Sequence, residues 1–89
     1  MSWSYDPAAL EKGLNYVRWL VGDTDTNDQQ VSDEEINALL ALEANRFLVA
    51  AQTAQGIAAK YKRYGAQKEA TIFDSLSVDL QIRAGVDYL

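Results

Sequence analysis

The chain contains neither cysteine nor histidine among its 89 residues, and it has a single proline and a single methionine. Without cysteine it can form no disulfide and no thiolate metal site. Without histidine it lacks the commonest metal ligand and the side chain that titrates near neutral pH. Ser–His and Cys–His nucleophile pairs and ordinary zinc sites are therefore excluded. A carboxylate pair, Lys or Tyr could still serve in catalysis, but no spacing in the sequence indicates one, and we predict a protein that is not an enzyme.

Basic residues and long apolar runs are also scarce. Eight Lys and Arg stand against thirteen Asp and Glu, a formal charge of −5, which disfavours binding to a nucleic-acid backbone by counterion release. The longest apolar-rich stretch, residues 38–42, is too short to span a bilayer. The N-terminus shows no basic region followed by an apolar run, so no signal peptide is expected. We expect a chain that stays in the cytosol and avoids membranes.

The small size of the chain predicts a marginal core. A domain of this size buries only about 60% of the surface that its unfolded form exposes. Disulfides, metals or oligomerisation usually compensate, and oligomerisation is the one that this composition leaves. No repeat or linker divides the sequence, which predicts a single domain over residues 1–89.

The first half of the sequence predicts two helices separated by a polar loop. Asp6 and Pro7 form a helix start, and an apolar face at helical spacing follows, so we predict a first helix over residues 7–21. Gly22 is placed to end it. Residues 22–30 contain no apolar side chain and read as a surface loop. Ser32 and Glu35 then form a capping box, which predicts that a second helix begins here.

The second half predicts a third helix and a different C-terminal segment. Either the second helix continues unbroken, or a break at residues 43–45 leaves Asn45 as the cap of a third helix over residues 46–64. The many alanines of this segment suggest close helix–helix approach. Apolar residues then alternate with polar ones from Leu76 to Ile82, which indicates a half-buried strand or a short strand leading into a helical turn. The predicted fold is mainly α: a small bundle of three to four helices over residues 1–65, with a short β-like or extended segment over residues 66–89.

The loop contains a partial calcium-binding pattern. An EF-hand places oxygen ligands at its first, third, fifth and twelfth positions, and these are Asp23, Asp25, Asn27 and Glu34. The sixth position, usually Gly, is Asp28 here. A polar connection followed by an acidic helix start accounts for the same residues. An EF-hand-like calcium-binding helical module is therefore the alternative function.

Charge is distributed unevenly along the sequence. Six of the thirteen acids lie in residues 23–35, and four of the eight bases lie in residues 60–68. Two explanations are open. Each cluster is a solvated helix end, or the acidic loop of one subunit contacts the basic patch of the next subunit. The run KYKRY in residues 60–64 mixes bases with aromatics as single-strand binders do, but its tyrosines fall on the apolar face. Trp19 lies off the apolar stripe of its helix and is a candidate partner contact.

Two segments resemble a known family. The run VRWLVGDTD in residues 17–25, followed by VSDEEI in residues 31–36, is similar to the "VR.LIGDTD" and "LTDEEI" segments of tailed-bacteriophage head–tail connector (adaptor, head completion) proteins. The AAKY of residues 58–61 and the LSV of residues 76–78 resemble later parts of the same pattern. The resemblance covers most of the chain.

That resemblance implies a structural virion protein without catalysis or cofactor. It implies a homo-oligomeric ring, typically of about twelve subunits, assembled in the bacterial host cytoplasm and placed at the head–tail interface of the virion. The ring would bind the portal protein on one side and a tail-side completion or tail protein on the other, and DNA would pass through without specific binding. On this reading Asp23 and Asp25 satisfy loop amides and bind no metal.

We expect the ring contacts to involve the alanine-rich helix and both charged clusters, and the segment of residues 66–89 to engage the portal. The candidate interface residues are Trp19, Asp28, Glu34, Lys60, Lys62, Arg63, Lys68, Leu76, Val78 and Tyr88. A regulatory partner protein of the toxin–antitoxin kind is a third possibility that the acidic charge permits.

Overall fold

Four α-helices and one short 3-10 helix make up the fold over residues 1–87, the part of the chain that this computed structural model describes. The 3-10 helix spans Pro7–Ala9; α1 spans Gly13–Val21, α2 Asp33–Leu42, α3 Arg46–Arg63 and α4 Gln67–Asp87. None of the described residues forms a strand. The prediction of a mainly α, small helical bundle is confirmed.

The first predicted helix is interrupted, so the expectation of one helix over residues 7–21 is wrong. Asp6 does cap a start, because its carboxylate accepts a hydrogen bond from the Ala8 amide at 2.9 Å, but only a 3-10 turn follows. The buried Asn15 side chain accepts from the Asp6 amide at 3.0 Å and donates to the Ala9 carbonyl at 3.0 Å. These two hydrogen bonds hold residues 6–9 folded back against α1, whereas a continuous helix would direct them away from it.

The other helix ends follow the sequence closely. The Ser32 hydroxyl accepts from the Glu35 amide at 3.2 Å at the start of α2, and it also contacts the Glu35 carboxylate at 3.1 Å. Asn45 accepts from the first amides of α3. Gly22 has φ of 77° and Gly65 has φ of 76°, a left-handed conformation that glycine adopts without a steric penalty.

The core forms around α3, which packs against α1, α2 and α4. Small and medium-sized apolar side chains fill the core, including those of Val17, Ile36, Val49, Ile57 and Leu80. The alanines of α3 allow the close approach: Ala50, Ala51, Ala54 and Ala58 are all buried within the chain. These four alanines therefore serve packing within the chain, and the exposed side of α3 carries Gln52, Gln55 and Ala59 instead.

Residues 67–87 form the long helix α4, and the strand predicted from Leu76 to Ile82 is wrong. A lone strand would leave backbone amides unpaired, and no second strand exists among the described residues to pair with it. As a helix the segment turns Ser77 and Leu80 toward α3, and the Ser77 hydroxyl donates to the Ala51 carbonyl at 2.9 Å. Val78 and Ile82 point to the outside instead.

Candidate interaction surfaces

Arg18 is a fully buried arginine at the centre of a hydrogen-bonded cluster. Its Nε donates to the Ser4 carbonyl at 2.8 Å, and one terminal nitrogen donates to the Asp23 carboxylate and to the Val31 carbonyl. The other terminal nitrogen donates to the Asp33 carboxylate at 2.6 Å. Four of the five guanidinium N–H groups thus have partners, as a buried charge requires.

Asp23 is the buried acidic partner in this cluster. Besides Arg18, its carboxylate accepts from the Gln30 amide at 3.0 Å, the Val31 amide at 3.2 Å and the indole nitrogen of Trp3 at 3.2 Å. The Arg18 guanidinium also lies over the Trp3 ring, 4.7 Å from its centroid. Asp23 therefore closes the loop onto the end of α1 and holds the N-terminal segment in place.

The start of α2 anchors the same N-terminal segment. The Asp33 carboxylate accepts from the Ser4 amide at 2.9 Å and from its hydroxyl at 2.8 Å, and the Asp33 amide donates to the Ser2 carbonyl at 2.8 Å. The Glu34 carboxylate accepts from the Ser2 amide at 2.8 Å. Residues 2–4 are thus fixed by Arg18 at the end of α1 and by the first residues of α2.

Two carboxyl groups in this region have lowered pKa values. Partial burial acts to raise the pKa of Asp33, but hydrogen bonds from Arg18 and Ser4, with the positive charge of Arg18, outweigh it and lower the pKa. The Ser2 backbone hydrogen bond is the main cause that lowers the pKa of the exposed Glu34 carboxyl. Both groups stabilise the attachment of the N-terminal segment in their ionised form.

The carboxylates of the calcium alternative do not converge on one point. Asp23 is occupied by Arg18, Trp3 and loop amides, and Glu34 is hydrogen bonded to Ser2. Asp25 accepts from the Asn27 amide at 2.9 Å in a local turn. No group of three or more acidic residues in residues 1–87 could hold a metal ion. The geometry of the loop thus favours a structural role for its carboxylates.

The charged candidates lie at or near the surface of the chain. Asp28 and Glu34 are exposed, as are Lys62, Arg63 and Lys68. The half-buried Lys60 ammonium donates to the Gln30 carbonyl at 3.4 Å, which brings the end of α3 beside the loop. An open groove of about 600 Å³ lies there, with Glu35 and Arg63 both in its lining.

Part of the basic cluster is already used inside the chain. Lys62 pairs with Asp74 of α4 at 2.9 Å, and Lys60 contacts the loop carbonyl. Within residues 1–87, Arg63 and Lys68 form no ion pair. They are the two bases of this cluster best suited to a contact with another chain.

Trp19 is 53% exposed and belongs to an aromatic patch. Its ring stacks on Tyr16 with centroids 6.0 Å apart, and Tyr16 meets Phe47 edge-on at 6.1 Å. The Arg46 guanidinium lies 5.7 Å from the Tyr16 centroid and donates to the Glu11 carbonyl at 2.8 Å. We call Tyr16, Trp19, Arg46 and Phe47 the aromatic patch.

The side of α4 that faces away from α3 carries three exposed apolar side chains among polar and charged ones. Ile72, Val78 and Ile82 are 58%, 56% and 62% exposed, and we call them the outer face of α4. Leu76, a candidate from the sequence, is half-buried and packs against the core. Tyr88, another candidate, lies outside the described residues.

Sequence reasoning missed Arg18 as a structural centre, and Arg46, Ile72 and Ile82 as surface residues. An arginine followed five positions later by an aspartate at a helix end is the signal that could have indicated the cluster. The surface residues required knowledge of the helical register of α4 and of the contact between α1 and α3, which no local pattern supplies.

Comparisons of the chain with protein-family models, with curated proteins and with solved structures give no match. The helices within residues 1–87 include none with the length and apolar character needed to cross a membrane.

Proposed function

We propose that this chain is a structural protein of a tailed-bacteriophage virion, a head–tail connector subunit that forms a ring beneath the portal. The ring would extend the DNA channel toward the tail and would bind a portal protein on one side and a tail-side protein on the other. It would be assembled in the host cytoplasm and would carry no catalytic site or cofactor.

The observation that carries this proposal is the interlocking of the two segments that resemble the connector pattern. Arg18 and Asp23 belong to the first segment and Asp33 to the second, and Arg18 donates to both carboxylates. The residues that carry the resemblance therefore work together as one structural unit. If the two segments matched the pattern only by chance, there would be no reason for their residues to contact each other.

The exposed apolar side chains support an assembly role. Trp19, Ile72, Val78 and Ile82 are all more than half exposed, and Leu42 at the end of α2 is 85% exposed. Large apolar residues on the surface of so small a domain contribute nothing to its core and are suited to contact with a partner. Subunit contacts in a ring would cover them.

The exposed acids of the loop suit the wall of a channel. Asp25, Asp28, Glu34 and Glu35 are exposed in the segment that begins at the end of α1. A negative wall would repel DNA phosphates and so would let DNA pass without sticking. We therefore place this acidic segment toward the channel, and we assign portal contact to α4 and the residues after it.

The test is native mass spectrometry and negative-stain electron microscopy of the purified chain, alone and mixed with the portal protein from the same genome. We expect a closed ring, or saturable binding that adds one ring of subunits to each portal. A portal from an unrelated phage is the control and should not bind. A chain that remains monomeric and ignores its own portal would reject the connector function.

A further inference from the structure

We propose that the groove between α2 and α3 binds an extended segment of the tail-side protein in which an acidic side chain lies close to an apolar one. This α2–α3 groove is lined from residues 1–3, residues 29–39 and residues 52–64. None of the described residues of α4 lines it, so it is separate from the surface assigned to the portal. The inference rests on the proposed function for the source of the segment and on the groove alone for its chemistry.

The shape of the groove favours an extended chain. Gln52, Gly56, Lys60 and Arg63 follow one another along one face of α3 and all line the groove. Together they cover about 16 Å of helix at about 1.5 Å per residue. An extended chain covers the same distance with about five residues, at about 3.3 Å each. The groove is already open, so a segment of this length can enter it without a rearrangement of the core.

Gly56 keeps the floor of the groove open. It is an exposed residue inside α3, where glycine is less favourable than alanine. Its φ is not positive, and a Cβ atom at this position would have no heavy atom within 4 Å. Neither the backbone angles nor packing within the described chain therefore requires a glycine. The missing side chain lets a bound backbone approach the helix closely.

The charge on the α3 wall of the groove favours a carboxylate. Lys60 and Arg63 lie about one turn apart, and neither forms an ion pair within residues 1–87. The hydrogen bond from Lys60 to the Gln30 carbonyl is long, at 3.4 Å. Neighbouring like charges on a helix repel each other. A carboxylate bound between them would remove this repulsion and would accept charge-assisted hydrogen bonds from both.

Glu35 is the acid on the opposite wall, and its charge is already partly offset. Its carboxylate accepts a hydrogen bond from the Ser32 hydroxyl at 3.1 Å. It also lies in the first turn of α2, where the helix dipole stabilises a negative charge. Two bases without an acidic partner thus face one acid whose charge is compensated. This balance favours an acidic segment over a basic one.

The groove also offers apolar surface for an anchoring side chain. Val31 and Leu39 are half-buried in its lining, and Ile57 is buried beneath them. Tyr64 is 72% exposed beside the basic end. Burial of an apolar side chain supplies affinity that a surface ion pair alone does not. At the other end the exposed Gln52 amide can both donate to and accept from the backbone of the segment.

The first experiment selects peptides of about ten residues from a displayed random library against the purified chain, so that no knowledge of the partner is needed. We expect the selected peptides to share an Asp or Glu within about five residues of a large apolar residue. The backbone resonances that shift on binding should include those of Gln52, Gly56 and Arg63. Selection of basic peptides, selection of none, or resonance shifts confined to other surfaces would overturn the proposal.

Two glycine variants separate binding from stability. Gly56→Gln places a side chain in the groove and should weaken binding of the selected peptide at least about tenfold in fluorescence polarisation. The same variant should unfold at a higher urea concentration, because glutamine favours a helix more than glycine does. Gly85→Gln is the matched control, since Gly85 is an exposed glycine of α4 with the same free space, and it should keep full affinity. Unchanged affinity in Gly56→Gln would reject the groove as the binding site.

The charge variants Lys60→Gln and Arg63→Gln test the carboxylate. Each should weaken peptide binding about tenfold, and replacement of the acidic residue of the peptide by its amide should cause no further loss in either variant. Lys68→Gln removes an exposed base outside the groove and is the control. Equal losses for Lys68→Gln and Arg63→Gln would mean a general attraction by positive charge and would contradict the proposal.

The last experiment separates this inference from the proposed function. The tail-side protein from the same genome should bind the chain, and Gly56→Gln should weaken this binding as it weakens that of the peptide. Binding that Gly56→Gln leaves intact would retain the connector role and reject the groove as its site. Selective binding of acidic peptides by a chain that binds neither portal nor tail-side protein would retain the peptide groove and reject the connector role.

Discussion

Arg18 shows how a single residue determines the arrangement of three segments. The residue lies on α1, yet its hydrogen bonds reach Ser4 before the helix, Asp23 after it and Asp33 on α2. Buried ion pairs are poor sources of net stability, but the removal of one partner leaves the others uncompensated. Arg18 therefore acts mainly by making the alternatives to this arrangement unfavourable.

We predict that Arg18→Met lowers the free energy of unfolding by about 3–5 kcal/mol, because Asp23 would remain buried without its counter-charge. Urea unfolding followed by circular dichroism measures this change. The same substitution at the exposed Arg63 should change the free energy of unfolding by less than about 0.5 kcal/mol. A loss at Arg18 no larger than that at Arg63 would contradict the structural role of the cluster.

The lowered pKa values of Asp33 and Glu34 predict a loss of stability in acid. A carboxyl whose pKa is lower in the folded chain adds stability above its ordinary pKa, about 4, and loses it as the pH falls through the lowered value. We therefore expect the unfolding midpoint in urea to fall as the pH drops below about 4.

The matched variants for this pH effect are Asp33→Asn and Asp79→Asn. Asp33→Asn should be less stable at neutral pH and should show a weaker decrease in stability between about pH 5 and pH 3. Asp79→Asn, which removes only an exposed pair, should keep the full decrease. An equal decrease in both variants would mean that other carboxyl groups control the acid response.

Helix α4 shows that a pattern of alternation can mislead at the level of an element. Apolar residues at every second position are typical of a strand. If the same seven residues form a helix, however, these apolar positions fall on opposite sides of it. In the structure Leu80 is buried against α3 and Ile82 is exposed. A strand with one buried side would have placed both on the same side.

This difference gives a direct test of the register of α4. We predict that Leu80→Ala costs about 2–5 kcal/mol of unfolding free energy. Ile82→Ala removes a side chain of the same size from an exposed site and should cost less than about 1 kcal/mol. Thermal and urea unfolding, at a concentration where the chain is monomeric, measure both. Equal losses at the two positions would favour the strand register and contradict the helix.

At the scale of the whole molecule, the small core and the exposed apolar residues should link stability to association. A partner that binds only the folded state raises its stability in proportion to the logarithm of partner concentration. We predict that the Tm of the chain rises over a hundredfold increase in protein concentration, as measured by scanning calorimetry.

The variant Trp19→Ser is the control for this concentration effect. Its Tm should remain constant over the same range, because the aromatic patch is lost while the buried core is unchanged. A constant Tm for the unsubstituted chain would mean that the domain reaches its full stability alone, and the proposed self-association would then contribute nothing to it.

The sequence by itself determined the features that depend on neighbouring residues. The caps at Ser32 and Asn45, the glycine that ends α1, and the polar loop were all correctly predicted, because each depends on hydrogen bonds or backbone angles within a few positions. The mainly α class followed from the same signals.

Only the tertiary structure decided the rest. The late start of α1 depends on Asn15 folding the preceding residues back, the helical register of α4 depends on packing against α3, and Arg18 is buried because three distant segments surround it. These outcomes depend on contacts between residues far apart in the sequence. The secondary-structure propensity of neighbouring residues is too weak to override such contacts. The aromatic patch and the outer face of α4 became visible as surfaces only once those contacts had been made.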